Sequence, residues 1–531
     1  MLKAILPLYL SPILCLTSPL EEMTLEEKVG QLFIVCFKGE EANEDAKILV
    51  QEIRVGGIIY YDWANGLHSP EQVLSLSLGL QKLTLVNPNP IPLLLAADQE
   101  GGLVARLRKG FSAFPGNKAL GMTSDPSLSK ESAFAIGQEL QAVGINFNLS
   151  PVVDINSNPR NPIIGIRSFG DSADVVTSFA KEALKGYHDA GIITSLKHFP
   201  GHGDVEIDSH KALPVLYKSK ETLEEVELLP FKELAPMADT IMTAHLMVPS
   251  IDPIHCATLS KPILDILRKE IGFKGVIIAD SLTMEGVLKN SPSIEEAAIS
   301  ALNAGCDLLL LGGKQLIGTT INTETSIDNI KKIHQAVIKA IKEGIVSEER
   351  VNEAVQRILL LKEKIRPLNA KTEEQLKELI KIPAYQALSE KISTLAIKTI
   401  KNKPIPLLKE QKIAILAPTI LEDALKETPL LHLGKKTESL FFTGLNPTDL
   451  ESKAACEIAN QADLIIFCSY NAWKNPAQES LLASLSLLKK PFIFLIVRDP
   501  LDESLHSTAD LIIKTYSPAV SSIKAACEEL K

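Results

Sequence analysis

GVIIADS, residues 275–281, sets four apolar residues ahead of a carboxylate, the pattern of a buried strand that delivers a charged side chain where it surfaces. Seven other apolar runs resemble it: QLFIVCF (31–37), GGIIYY (56–61), PLLLAAD (92–98), INFNLSPVVD (145–154), IITSLKH (192–198), TIMTAHLMV (240–248) and DLLLLGG (307–313). Between most of them lie helical-period stretches such as SKESAFAIGQELQAVG, DVVTSFAKEALKGYHDAG and SKPILDILRKEIG, the last two ending in the glycine that commonly follows a helix. Eight strands largely alternating with helices over roughly 300 residues predict an α/β chain that begins as a (β/α)8 TIM-like barrel rather than an open sheet.

A barrel presents its chemistry at the C-terminal ends of its strands, and the polar residues of these runs fall there. Asp98 closes the third run, Asp154 the fourth, Lys197 and His198 the fifth, His245 the sixth and Asp280 the seventh. One aspartate at a strand end is ordinarily a turn former or a helix cap; five successive strands with the pattern point to a site. The densest titratable stretch, KHFPGHGDVEIDSH (197–210), follows the fifth run. His198, His202 and His210 suggest a metal cage, yet Pro200 and the glycines at 201 and 203 preclude the helix that would set two histidines one turn apart. GHGD also lacks the pattern of a phosphate-cradling loop. The stretch therefore reads as a loop carrying an acid/base group, its glycines letting it bend. No metal and no cofactor are expected.

A chain of 531 residues exceeds the size at which one hydrophobic core usually stops growing, so two domains are expected. A hydrophobic share of 45%, a charged share of 23% and a net charge of −10 describe an acidic globular chain and argue against nucleic-acid binding through a basic surface. Seven scattered cysteines with no CxxC pair read as reduced, buried small hydrophobes, an argument for a reducing compartment. The N-terminus argues the other way, because MLKAILPLYLSPILCLTSP joins a positive start to an apolar stretch before Glu21 and Glu22, like a signal peptide. Two prolines, a single lysine and the bulky Leu14 before Cys15 depart from that pattern. Residues 1–20 are read as a signal peptide or an N-terminal arm, with export to the periplasm or cell envelope favoured over the cytoplasm. No other run is long enough to span a bilayer, so no stable membrane insertion is expected.

The stretches AADQEGGLVARL (96–107), NFNLSPVVDI (146–155), RSFG (167–170), KHFPGHGDVEIDSH and GVIIADSLTMEGV (275–287) resemble, in this order, the motifs of glycoside hydrolase family three, specifically its β-N-acetylglucosaminidase (β-hexosaminidase) branch. The likeness runs from about Thr24 to about Leu361. It implies a retaining mechanism in which Asp280 is the nucleophile and forms a glycosyl-enzyme that water cleaves. It makes His210, in DSH, the acid/base, with Asp208 fixing the imidazole; histidine titrates near neutrality without heavy burial and suits both half-reactions. Asp98 would anchor sugar hydroxyls, Arg106 and Arg167 would contact substrate, and Lys197 and His198 would bond hydroxyls in the specificity subsite. The plainer readings are a strand-end cap for Asp280, an exposed loop histidine beside a turn-forming aspartate for His210, and salt bridges for the arginines. His202, Asp204 and Glu206 receive no role. The family often carries an acid immediately before the RSFG arginine, where this chain has Ile166, which puts the pairing of Arg167 in question.

After Leu361 come a charged helical stretch and then KIAILAP, ADLIIFCSY, PFIFLIV and DLIIKTY, the strands of a smaller α/β domain that resembles the one often following the barrel in this family. It is expected to be structural or to wall one edge of the cleft. The expected boundaries are 21–365 for the barrel, 366–405 for a helical linker and 406–531 for the second domain. The expected function is that of a retaining exo-β-N-acetylglucosaminidase acting on the terminal non-reducing N-acetylglucosamine of peptidoglycan fragments or related glycans. Open beside it are a phosphorylase releasing N-acetylglucosamine 1-phosphate, a broader β-glycosidase, a silent carbohydrate-binding protein and a metal-dependent hydrolase. Carbohydrate is the expected partner; the sequence assigns no oligomeric state.

Overall fold

In the computed structural model, which describes residues 19–207, 212–315, 323–406 and 408–530, the eight apolar runs contain eight strands. These are β1 (Phe33–Val35), β2 (Gly57–Ile59), β3 (Leu94–Ala97), β4 (Phe147–Asn148), β5 (Ile193–Phe199), β6 (Thr240–Thr243), β7 (Val276–Ala279) and β8 (Leu308–Leu311). Each pairs in parallel with its neighbours in chain order, and β8 closes on β1 through Phe33↔Leu309 and Val35↔Leu311. β1, β2, β3, β7 and β8 read as unbroken apolar runs because both faces are covered, one by the barrel interior and the other by helices. The helix Ala173–Ala190 shows the outer layer: Val176, Phe179, Ala180, Ala183, Leu184 and Tyr187 form its buried stripe. It stops at Gly191, whose φ of +83° suits glycine.

The run INFNLSPVVD forms less strand than its length suggests. Only Phe147 and Asn148 are in β4, because the Asn148 side chain takes both Gln99 N–H and Gln99 C=O at 3.0 Å in place of a ladder. The chain then passes a cis Ser150–Pro151 bond, and Val152 bridges to Lys197. The Lys197–His198 and Phe199–Pro200 bonds at the end of β5 are also cis.

The second unit is a six-stranded sheet of β9 (Lys398–Lys401), β10 (Lys412–Pro418), β11 (Lys436–Phe442), β12 (Leu464–Ser469), β13 (Phe492–Ile496) and β14 (Leu511–Lys514), ordered β9-β14-β13-β12-β10-β11. All pairs are parallel except β9 with β14. Alternation along β10 sends Ile413 and Ile415 to one apolar layer and Ala414 and Leu416 to the other. The stretch expected as a helical linker, 366–405, is only partly helical. Glu373–Lys377 and Pro383–Ala396 are helices, but Lys398–Lys401 is the sheet's edge strand, with the lysines outward at its ends as edge protection. The helix Pro383–Ala396 is also no free linker. Ser389 Oγ donates to the barrel's Ala113 C=O at 2.7 Å, and Ser393 bonds Ser521 and Ser522 of the second unit.

The six cysteines among the described residues form no disulfide with one another, five of them being buried and Cys456 half-buried; Cys15, with the rest of the N-terminal segment read as a leader or arm, lies outside them. No described helix is long and apolar enough to cross a membrane.

Candidate active site

Five charged side chains converge where β3 and β5 open into the barrel mouth. Asp98 follows β3 and divides its oxygens, Oδ1 accepting from Lys197 Nζ at 2.9 Å and Oδ2 from Arg106 Nη2 at 3.2 Å. Glu100 lies two residues on, hence on the same side of the chain. Its Oε1 takes Arg167 Nη2 and Lys197 Nζ, each at 2.8 Å, and its Oε2 takes Arg167 Nε at 3.0 Å. Lys197, 2% exposed, therefore bridges two carboxylates. Burial would raise the carboxyl pKa of Asp98 and Glu100, but the neighbouring cations outweigh it, leaving Asp98 well below the usual range and Glu100 at about 2. Both are anions at neutral pH, and Lys197 and Arg167, raised by these carboxylates against their burial, are cations.

Asp154, wholly buried, does not face the mouth. Its Oδ2 accepts from His198 Nδ1 at 2.7 Å, and its Oδ1 from the backbone N–H groups of His198 and His202 at 3.1 and 2.7 Å. The bond fixes the His198 proton on Nδ1 and leaves Nε2 for other partners. Burial pushes the buried His202 down to about 4 despite Asp154 beside it, so its ring is neutral at physiological pH. His245 is also structural: Nδ1 meets Thr258 Oγ1 at 2.8 Å, and Nε2 donates to the Ser281 carbonyl at 2.9 Å. It thereby holds the segment after β7 that presents Asp280, whose Oδ1 accepts the Ser281 N–H at 2.7 Å.

The structure thus brings Asp98, Arg106, Arg167, Lys197, His198 and Asp280 to one end of the barrel; Asp208 and His210 lie outside the described residues. The glycines before them serve packing, since a Cβ at Gly203 would sit 1.6 Å from the Ile155 carbonyl oxygen, and Gly201 has φ of +126°. Asp204, unassigned from sequence, pairs at 3.0 Å with Lys218, which also bonds the buried Glu227 and so ties the two ends of this loop. Among the described residues no three histidine, cysteine or acidic side chains are grouped to hold a metal ion.

The partner of Arg167 is a residue that sequence reasoning missed. Ile166 is buried and supplies no acid; the acid is Glu100, 67 positions away. The signal was present in the period-two relation of Asp98 and Glu100 within DQEGG. The second unit braces both loops involved: Leu103, at the tip of the hairpin Gln99–Ala105, packs into its apolar layer, and Lys474 Nζ donates to Pro162 C=O at 3.4 Å beside the Arg167 turn.

Glu100→Gln is expected to destabilise the fold by roughly 2–4 kcal/mol at pH 7, because it leaves Arg167 and part of Lys197 buried without their counter-charge. The sign with pH follows from a folded pKa below the ordinary 4.5. The stabilisation is present above that value and lost as pH falls toward about 2. Denaturant midpoints of the two proteins should differ through the neutral range and converge below about pH 4; a constant gap down to pH 2 would count against the ion pair as its source.

A closed parallel barrel whose strand ends collect carboxylates and fixed cationic donors defines a barrel enzyme of the glycoside-hydrolase type. Residues 24–361 match the Glycosyl hydrolase family 3 N terminal domain, and the chain belongs to this family. It is 31% identical over 438 residues to β-hexosaminidase A of Pseudoalteromonas piscicida, covering 79% of this chain and 71% of that protein. It is 35% identical over 280 residues to a β-hexosaminidase of Xylella fastidiosa strain M23, covering 51% and 81% respectively. Among solved structures, a glycoside hydrolase family 3 β-N-acetylglucosaminidase from Paenibacillus sp. str. FPU-7 superposes with a TM-score of 0.86 at 34% identity, covering 96% of both chains. The protein is a glycoside hydrolase.

Proposed function

We propose that the protein is a retaining, exo-acting β-N-acetylglucosaminidase that releases terminal N-acetylglucosamine from peptidoglycan fragments or related glycans. The observation that carries the reading is the barrel mouth itself, where Asp280 leaves β7 beside a fixed array of Asp98, Arg106, Lys197, Arg167 and His198. Relatives named for β-hexosaminidase and β-N-acetylglucosaminidase activity support the sugar. Asp98 orients the sugar by accepting from its hydroxyls, while the cations donate to them; fixing the ring this way places its anomeric carbon before Asp280. Asp280 attacks as the aglycone oxygen takes a proton from His210, and His210, held by Asp208, then activates water to cleave the glycosyl-enzyme. Both steps proceed through oxocarbenium-like transition states whose charge Asp280 stabilises.

The test is an assay on aryl β-glycosides of N-acetylglucosamine, glucose and xylose, with and without phosphate, following the anomer first released by NMR. Preferred turnover of the N-acetylglucosaminide, β-anomer first and independent of phosphate, is expected. Preference for glucoside, or phosphate-dependent release of a sugar 1-phosphate, would overturn the reading.

A further inference from the structure

Tyr61, two residues beyond β2, is 5% exposed, and its hydroxyl makes no hydrogen bond among the described residues; only its backbone is tied, the N–H to Asn65 Oδ1 at 3.1 Å and the C=O to the N–H groups of Ala64 and Asn65 at 3.1 and 2.8 Å. The residue is nearly enclosed, but the hydroxyl oxygen itself keeps contact with solvent, so a molecule entering the mouth can exchange that water for its own hydrogen bond. The ring has no freedom to seek another partner. Trp63 stacks on it with centroids 4.4 Å apart and planes 20° apart, and the Arg106 guanidinium lies 5.3 Å from the Tyr61 centroid and 5.2 Å from that of Trp63. Arg106 is also the group that grips Asp98, so one face of Tyr61 abuts the sugar-anchoring side of the mouth. Its hydroxyl end abuts the other side. A Cβ built on Gly313, just after β8, would lie 3.8 Å from the Tyr61 oxygen and 3.9 Å from Ser281 Oγ, the residue next to Asp280. The absence of side chains at Gly312 and Gly313 leaves this approach open, since a Cβ on Gly312 would stand 3.3 Å from the same oxygen.

The geometry points to Tyr61 as a substrate-contacting specificity residue whose hydroxyl donates a hydrogen bond to a ring substituent of the sugar held between Asp98 and Asp280. The assignment rests on the proposed glycosidase reading and adds to it a contact from β2, a strand none of the other site residues comes from. The phenol is suited to donate only: burial first, and then the charges of Asp98 and Asp280, hold its pKa well above the ordinary value, so it stays protonated wherever the enzyme works. Its stacked, immobile ring means that little side-chain freedom is lost when the sugar binds.

Tyr61→Phe keeps the ring, the Trp63 stack and the Arg106 contact and removes only the donor. On the aryl β-glycoside that the wild type turns over best, kcat/KM is expected to fall roughly ten- to fifty-fold with Tm unchanged within about 1 °C. Substrates lacking the 3-, 4- or 6-hydroxyl identify the contact. One of the three should lose activity in the wild type but lose little more in Tyr61→Phe, whereas the others lose equally in both proteins. If the wild type ignored N-acetylglucosaminides, the sugar assignment would fail and the Tyr61 series would be run on the glycoside that is turned over. A kcat/KM within twofold of wild type, or additive losses for all three deoxy substrates, would return Tyr61 to the role of a wall.

Discussion

Asp280→Ala should lower kcat by a factor on the order of 10⁴ or more on every β-glycoside substrate while leaving the fold in place. The fold survives because the segment after β7 does not depend on the carboxylate. His245 Nε2 holds the Ser281 carbonyl, Ser281 Oγ bonds Gly312 C=O and meets Thr283 Oγ1 at 2.9 Å, and Leu282 N–H donates to Leu310 C=O at 2.9 Å. The Ser281 N–H loses an acceptor, at a partly exposed position. Removing a nucleophile also makes room for another. Azide added to the variant, with a dinitrophenyl β-N-acetylglucosaminide, should attack from the vacated side and give the α-glycosyl azide, because the substituent enters opposite the departing β-aglycone. Turnover near that of the wild type, or a β-azide product, would move the nucleophile elsewhere.

The ease of reading this site from sequence follows the range of the interactions that build it. Asp98, Lys197, His198 and Asp280 were legible because each terminates an apolar strand, so a local pattern placed all four at one end of one barrel. Pairing was not legible, since it is set by side chains that meet across the mouth: Lys197 meets Asp98 from 99 positions away, and Arg167 meets Glu100 from 67. Asp154 and His245 show the converse. They carry the same strand-end signal as Asp98, yet one is a wholly buried hub for backbone N–H groups and the other a prop beneath Ser281, so the signal finds the mouth without separating chemistry from support. In the second unit, Lys398–Lys401 falls inside a charged stretch that reads as helical linker; its two β-branched residues, Thr399 and Ile400, suit a strand, but the edge position that makes it one is defined only by the sheet partner Leu511–Lys514.

His210→Ala tests the other half of the mechanism by asking how far the need for a proton depends on the leaving group. An alkyl or sugar aglycone departs as a strongly basic alkoxide unless it is protonated, whereas dinitrophenolate is stable without help. The variant should therefore lose a factor on the order of a hundred or more in kcat/KM on the former and far less on the latter. With an activated aglycone the first step stays fast, and the second becomes limiting because no base remains to activate water. The glycosyl-enzyme then accumulates, giving a burst of dinitrophenol followed by slow turnover. Azide needs no base and should relieve this step, attacking the α-linked intermediate to yield the β-glycosyl azide, the opposite anomer to the product expected from Asp280→Ala. Asp208→Ala should show the same pattern more weakly, because it removes the group that orients the imidazole rather than the imidazole itself. The loop's stem does not rely on either residue, since Lys218 ties Asp204 to Glu227. Equal slowing of activated and unactivated substrates, with no burst and no azide rescue, would make this loop a binding element. The proton donor would then have to come from another group, and the loops braced by Leu103 and Lys474 would be the first place to look.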